Sequence, residues 1–227
     1  MSGTPELRFT RTPVEVRGAA DGRTIGGYAA KFDRLSKNLG GFVERIAPGF
    51  FDKSRDDHWR DVMARYNHDD LLGTTAAGSL RLVLDDTGLD YSVDMLPDAV
   101  SERVFQLVQR GDVRQSSFAF YTFEDEWGMT DQGFPVRTLV SGQLVDVAPV
   151  DNPAYADTST GLRSLAAARE VDLSEVQRMA AENKLGDLLK PPAVVIDLAG
   201  SGQSERSDTP DSAGRIHVLR RALDLKK

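Results

Sequence analysis

Three side chains in this sequence have the types needed to turn an alcohol into a nucleophile. They are His68 in Tyr66-Asn67-His68-Asp69, Ser117 in Ser116-Ser117-Phe118-Ala119-Phe120, and Asp146 in Val145-Asp146-Val147-Ala148. A serine hydroxyl holds its proton at neutral pH. An imidazole can accept that proton, and a carboxylate fixes the ring's tautomer and stabilises the cation that forms. The three are remote in sequence, each at the edge of an apolar, strand-like run, so only a fold can unite them. The chemistry they imply is peptide-bond hydrolysis through an acyl-enzyme, that of a serine endopeptidase.

Each residue also has a plainer reading. A histidine at a strand end is commonly a surface or capping residue. Here the preceding positions Val62, Ala64 and Tyr66 form an apolar face that His68 is expected to continue, which puts the ring at the rim of the core. Partial burial favours the neutral imidazole that a general base requires. Of the other two histidines, His58 lies among charges in Arg55-Asp56-Asp57-His58-Trp59-Arg60, and His217 falls near the C-terminal end. A metal site from His68, Asp69 and Asp70 is disfavoured, because adjacent residues on an extended strand point to opposite faces. Ser116 and Ser117 are a tie: pleating sends one toward Phe118 and Phe120 and the other toward Ala119 and Tyr121. Asp146 interrupts an apolar run, so it needs a partner. His68 would serve, and so would Arg137 in a structural ion pair. Asp151, in Pro149-Val150-Asp151-Asn152-Pro153, is the fallback acid.

Composition narrows the class further. The chain has 227 residues, 40% of them hydrophobic, and a net charge of −7. A surplus of acid argues against a general nucleic-acid binder. Without cysteine there is no disulfide, thiolate metal site or cysteine nucleophile, and no metal or cofactor is expected. The polar opening MSGTPELRFT predicts no export signal, and no apolar run is long enough to span a bilayer. The expectation is a soluble cytoplasmic protein.

The elements that must position the three residues are β-rich. Strands are expected over residues 25–32, 42–46 and 62–66. A hairpin is expected from Leu80, Leu82 and Leu84 through Asp85-Asp86-Thr87-Gly88 to Leu89, Tyr91, Val93 and Met95. Asp98 should cap a helix that runs to Arg110 and stops at Gly111. Ser117 should open a strand reaching Phe123, and residues 136–140 and 143–147 read as a pair turning at Ser141-Gly142. Beyond Tyr155 alternation stops. A helix is expected over 174–190, ended by Pro191-Pro192, then a flexible linker over 200–214 and a basic segment over 215–227. The division expected is a protease domain of residues 1–162 and a C-terminal extension of 163–227.

Across roughly residues 25–160 these motifs resemble the prohead maturation proteases of tailed bacteriophages. Asn67-His68-Asp69 is similar to the family's Asn-His-Asp segment, and Asp85 to Leu89 to its Asp-x-x-Gly-Leu hairpin. Ser117-Phe118-Ala119-Phe120 is similar to its Ser-x-Gly-Phe, and Asp146-Val147-Ala148 with Pro153-Ala154 to its closing acidic segment. Ala119 stands where the family has glycine, which narrows the space near the nucleophile. Asp146 stands where it has glutamate, which shortens the reach to the ring. The resemblance implies His68 as base, Ser117 rather than Ser116 as nucleophile, and Asp146 as orienting acid. It implies an α+β fold similar to the herpesvirus assembly proteases, a mostly antiparallel β-barrel flanked by helices. It also implies the major capsid protein and scaffold, or a scaffold-like arm, as substrates, with a homodimer possible. Action would be in the host bacterial cytoplasm, inside the immature procapsid. The alanine-rich residues 164–169 are expected to be exposed and open to self-cleavage. The alternative is a non-catalytic assembly scaffold or docking protein.

Overall fold

A computed structural model of the chain describes residues 4–10, 12–18, 22–151 and 159–190. Alternation of apolar and polar side chains builds its strands. Leu89, Tyr91 and Val93 are fully buried, while Asp90 and Ser92 on the other face are only partly covered. In chain order the elements are β1 (Glu6–Thr10), β2 (Glu15–Arg17), β3 (Thr24–Lys31), β4 (Val43–Ile46), α1 (Asp52–Asp56), β5 (Met63–Tyr66), β6 (Asp70–Thr74), β7 (Leu80–Leu84), β8 (Gly88–Asp94), α2 (Ala99–Arg110), β9 (Gln115–Met129), β10 (Pro135–Val150), α3 (Ser159–Arg169) and α4 (Leu173–Ala181), then a 3-10 turn, Leu185–Leu188.

Two sheets enclose the main core. One has six strands in the order β1-β9-β10-β5-β6, with β4 also on β10; the other has four, in the order β2-β3-β8-β7. Pairing is antiparallel except for β10 with β4 and with β5. A single parallel bridge, Phe32 to Ile46, joins the sheets. Aromatic rings fill the space beneath β9: Phe118 stacks on Phe120 at 4.9 Å, and Phe50 meets Phe120 edge-on at 5.3 Å. The α+β, mostly antiparallel expectation holds. The expected closed barrel does not: among the described residues the sheets remain two open hydrogen-bonded paths.

The helix α2 forms as its ends predict. The Asp98 carboxylate accepts from Ser101 N at 2.7 Å, and Gly111 closes the helix with φ of 85°, its N–H donating to Leu107 O. Val104 and Val108, four apart, are its buried stripe. The β7–β8 hairpin is also as expected. Asp85 accepts from Thr87 N and Gly88 N. Gly88 is demanded by neighbours rather than by turn geometry, since a Cβ there would lie 2.0 Å from Ala30 O on β3. We expect Gly88→Ala to destabilise the fold by about 1–3 kcal/mol through forced separation of β3 and β8, read as a lower urea midpoint with an unchanged slope.

Three expectations are corrected. There is no turn at Ser141-Gly142: β10 runs unbroken from Pro135 to Val150 and pairs along its length with β9, the reversal lying at Thr130 to Phe134. Gly142 serves instead to admit the Phe50 ring, which a Cβ would meet at 2.3 Å. The helix expected over 174–190 is split into α4 and the 3-10 turn. Residues 164–169, expected to be exposed, lie in α3 and are so only in part: Ala167, Ala168 and Arg169 are exposed, while Leu165 and Ala166 are buried. Leu165 joins Phe42, Val176 and Leu185 in a second apolar cluster. Burying side chains of this size stabilises by roughly 1.5–3 kcal/mol each, enough to hold two short helices on β9. The boundary expected after residue 162 falls inside α3, and the linker and basic segment expected over 200–227 lie outside the described residues. No helix among them is long and apolar enough to cross a membrane.

Candidate active site

The three candidate residues meet. His68 Nδ1 lies 2.6 Å from Asp146 Oδ1, and His68 Nε2 lies 2.7 Å from Ser117 Oγ. A carboxylate can only accept, so Nδ1 carries the proton. In the neutral ring Nε2 is then bare and can accept the Ser117 hydroxyl proton. The side chains of His68 and Asp146 are 15% and 8% exposed. The imidazole therefore keeps an opening to solvent while the acid behind it is shielded, which strengthens the bond that orients the ring.

Each side chain reaches the site by a specific backbone device. Asp146 depends on a bulge. Leu144 pairs with Phe120, and regular pairing would set Asp146 against Phe118, pointing into the aromatic core. The register instead shifts between Leu144 and Asp146, and Asp146 faces Ala119. That extra residue moves the carboxylate to the face that carries Ser117. The apolar run around Asp146 is thereby reconciled with a charge. Ala119, small and directly opposite, keeps bulk away from the carboxylate.

Contrary to expectation, His68 does not continue the strand face of Ala64 and Tyr66. β5 ends at Tyr66, and Asn67 and His68 adopt φ of 53° and 63° in a tight turn closed by Asp69 N donating to Tyr66 O at 3.0 Å. Positive φ at both central positions is the mark of a type I′ turn, which favours Asn followed by Gly. Histidine in the glycine position is strained, a cost of order 1 kcal/mol or more that persists where the surroundings over-determine it. The strain sits on the residue whose ring bridges the other two.

The two serines separate cleanly. Ser116 is fully buried and its hydroxyl lies 3.2 Å from the Tyr91 hydroxyl, inside the core. Burial pushes the Tyr91 phenol well above its ordinary range, so it stays a neutral hydrogen-bonding group. Ser117 faces His68. The rival partner for Asp146 is also resolved: Arg137 turns to Glu6, Glu44 and Asp125. Asp151 accepts from the Tyr66 hydroxyl at 2.7 Å and is not on the ring. Asp69 and Asp70 are exposed, and both ring nitrogens of His68 are already engaged.

The N-terminal strand β1 enters the site unannounced by the sequence. Its residues pair with β9, Phe9 opposite Ser117, and Ser117 Oγ lies 2.9 Å from the Arg8 carbonyl oxygen. The Arg8 side chain anchors β1 in a buried ion cluster. Its guanidinium donates to Glu44 Oε1 at 2.7 Å and Glu6 Oε2 at 2.9 Å, while Arg137 donates to Glu6 Oε2 at 2.7 Å and Glu44 Oε2 at 3.0 Å. Burial alone would push the Glu6 carboxyl up, but hydrogen bonding and charge from Arg137 and Arg8 hold it below its ordinary value. The only hint of β1 in the sequence is the alternation Leu7, Phe9 within Glu6–Thr10, with charges at the positions that turn out to be buried.

The family model of the caudovirus prohead serine protease matches residues 11–173. Among solved structures, the bacteriophage T4 capsid assembly protease aligns with a TM-score of 0.43 at 10% identity, covering 66% of this chain and 99% of that one. No curated protein matches the chain. The matched residues contain His68, Ser117 and Asp146 and both long strands that carry the serine and the acid. By that match over most of its length, the chain belongs to the caudovirus prohead serine proteases.

Proposed function

We propose that the protein is an active serine endopeptidase of capsid maturation, with Ser117 as nucleophile, His68 as general base and Asp146 as the acid that orients it. The observation that carries this reading is the unbroken series Asp146 Oδ1, His68 Nδ1, His68 Nε2, Ser117 Oγ at 2.6 and 2.7 Å. Ser117 attacks a peptide carbonyl as Nε2 takes its proton. The same proton then passes to the leaving amine, and water repeats the sequence on the acyl-enzyme. Asp146 keeps the ring in the competent tautomer and balances the imidazolium.

The substrates in this reading are the major capsid protein and a scaffold or scaffold-like arm, cut inside the immature shell in the host bacterium. Self-processing belongs to the same reading. A cut within residues 164–169 requires α3 to open first, because the segment is helical and Leu165 anchors it. The test is co-expression of the full chain with a cognate major capsid protein, followed by intact-mass analysis. Wild type yields a shortened capsid protein, and a capsid protein of full mass after assembly overturns the reading.

A further inference from the structure

We propose that Tyr66 and Asp151 are positioning residues for the reaction: together they clamp the strained turn that holds the His68 ring between Asp146 and Ser117. The inference rests on the serine-protease reading above. β5 and β10 run parallel, and their last paired residues are Ala64 and Val147. Beyond that pair the two strands are tied by bonds to the two residues that immediately precede His68. Asn67 N donates to Pro149 O at 3.1 Å, Asp151 N donates to Asn67 Oδ1 at 3.2 Å, and the Tyr66 hydroxyl donates to Asp151 Oδ2 at 2.7 Å.

The need for such a clamp follows from the backbone. Asn67 and His68 both hold positive φ without being glycine. Such a turn relaxes unless its surroundings fix it. The 2.6 Å and 2.7 Å bonds of the ring leave little tolerance, since displacement of a base by a fraction of an ångström weakens both. Tyr66 is well placed to hold the turn. Its side chain is largely buried, so the ring is fixed by packing, and its hydroxyl grips a carboxylate at the end of the strand that carries Asp146. Acid and base are thus referenced to the same stretch of β10. Burial first, then the bond to Asp151, pushes the Tyr66 phenol above its ordinary value, so it remains a donor through the neutral range.

The test uses the full chain and a fluorophosphonate that acylates a reactive serine, alongside the 15N-imidazole and downfield proton spectrum of His68, assigned with His68→Gln. Tyr66→Phe removes one hydroxyl and keeps the packing. The maximal labelling rate is expected to fall about ten- to a hundredfold with the half-saturating probe concentration unchanged, and the His68 Nδ1 proton to move upfield and broaden. Asp151→Ala should reproduce both effects. Asp151→Asn, whose amide oxygen still accepts from the phenol, should restore most of the rate. Wild-type labelling and an unmoved His68 resonance in folded Tyr66→Phe overturn the clamp. If wild type shows no Ser117-dependent labelling, the protease reading fails instead, and the His68 resonance still decides whether Tyr66 holds the ring.

Discussion

Ser117→Ala is expected to abolish proteolysis and fluorophosphonate labelling while leaving the fold intact, and Ser116→Ala to do the reverse. Ser117 Oγ is the only hydroxyl within hydrogen-bond reach of His68 Nε2 among the described contacts. Its removal takes away the nucleophile itself. Loss of a triad member of this kind lowers turnover by roughly four orders of magnitude or more. The methyl that remains still fits between β1 and β10, so circular dichroism and the unfolding midpoint should change little. Ser116 is the internal control. Its hydroxyl pairs with the buried Tyr91 phenol, and Tyr91 is fully buried. Ser116→Ala leaves that phenol without this partner, at a cost of about 1–3 kcal/mol in urea unfolding, with labelling retained. Label found on Ser116, or full cleavage by Ser117→Ala, would falsify the assignment.

The second large effect is on stability. Arg137→Ala is expected to cost about 3–5 kcal/mol, a large part of the total for a domain of this size. Arg137 is 1% exposed and bonds Glu6, Glu44 and Asp125 at once. Removing it leaves carboxylates crowded in the interior with Arg8 as the remaining cation of the cluster. The penalty should depend on pH with a definite sign. The Glu6 carboxyl lies below its ordinary value of 4.5 in the folded protein. Its contribution is therefore present above pH 4.5 and lost as pH falls through the lower folded value. The gap between wild type and Arg137→Ala should be full at neutral pH and shrink below about pH 4.5. Urea titrations at several pH values measure it. A gap that widens on acidification contradicts the cluster's role.

Much of this architecture could be read from residue patterns, and the failures have physical causes. The β7–β8 hairpin and α2 were legible because turn residues and caps act locally. The three residues that meet were legible as types at strand ends, but the geometry that unites them was not. The bulge before Asp146 depends on pairing with β9, which no local pattern carries. The left-handed turn at His68 was missed because Asn67-His68 lacks the glycine that announces it. Gly142 misled in the opposite direction: it looked like a reversal and is a notch for the Phe50 ring. β1 was barely hinted at, because its charged positions look solvated, whereas Glu6 pairs with both Arg8 and Arg137 in the interior. Residues 159–169 lacked a strong apolar stripe, and α3 forms by packing Leu162, Leu165 and Ala166 on the cluster that includes Phe42.

The contact between Ser117 Oγ and the Arg8 carbonyl has a bearing on turnover. The hydroxyl owns one hydrogen and faces two acceptors, His68 Nε2 and Arg8 O. Along the proposed reaction that oxygen becomes part of an ester and has no hydrogen to share. Arg8 O then confronts lone pairs at about the same separation, a mismatch on the order of 1 kcal/mol. Release of the product restores the hydrogen and ends the conflict. In the proposed reaction β1 thus burdens the covalent intermediate more than either the resting or the discharged state, and so favours its prompt hydrolysis.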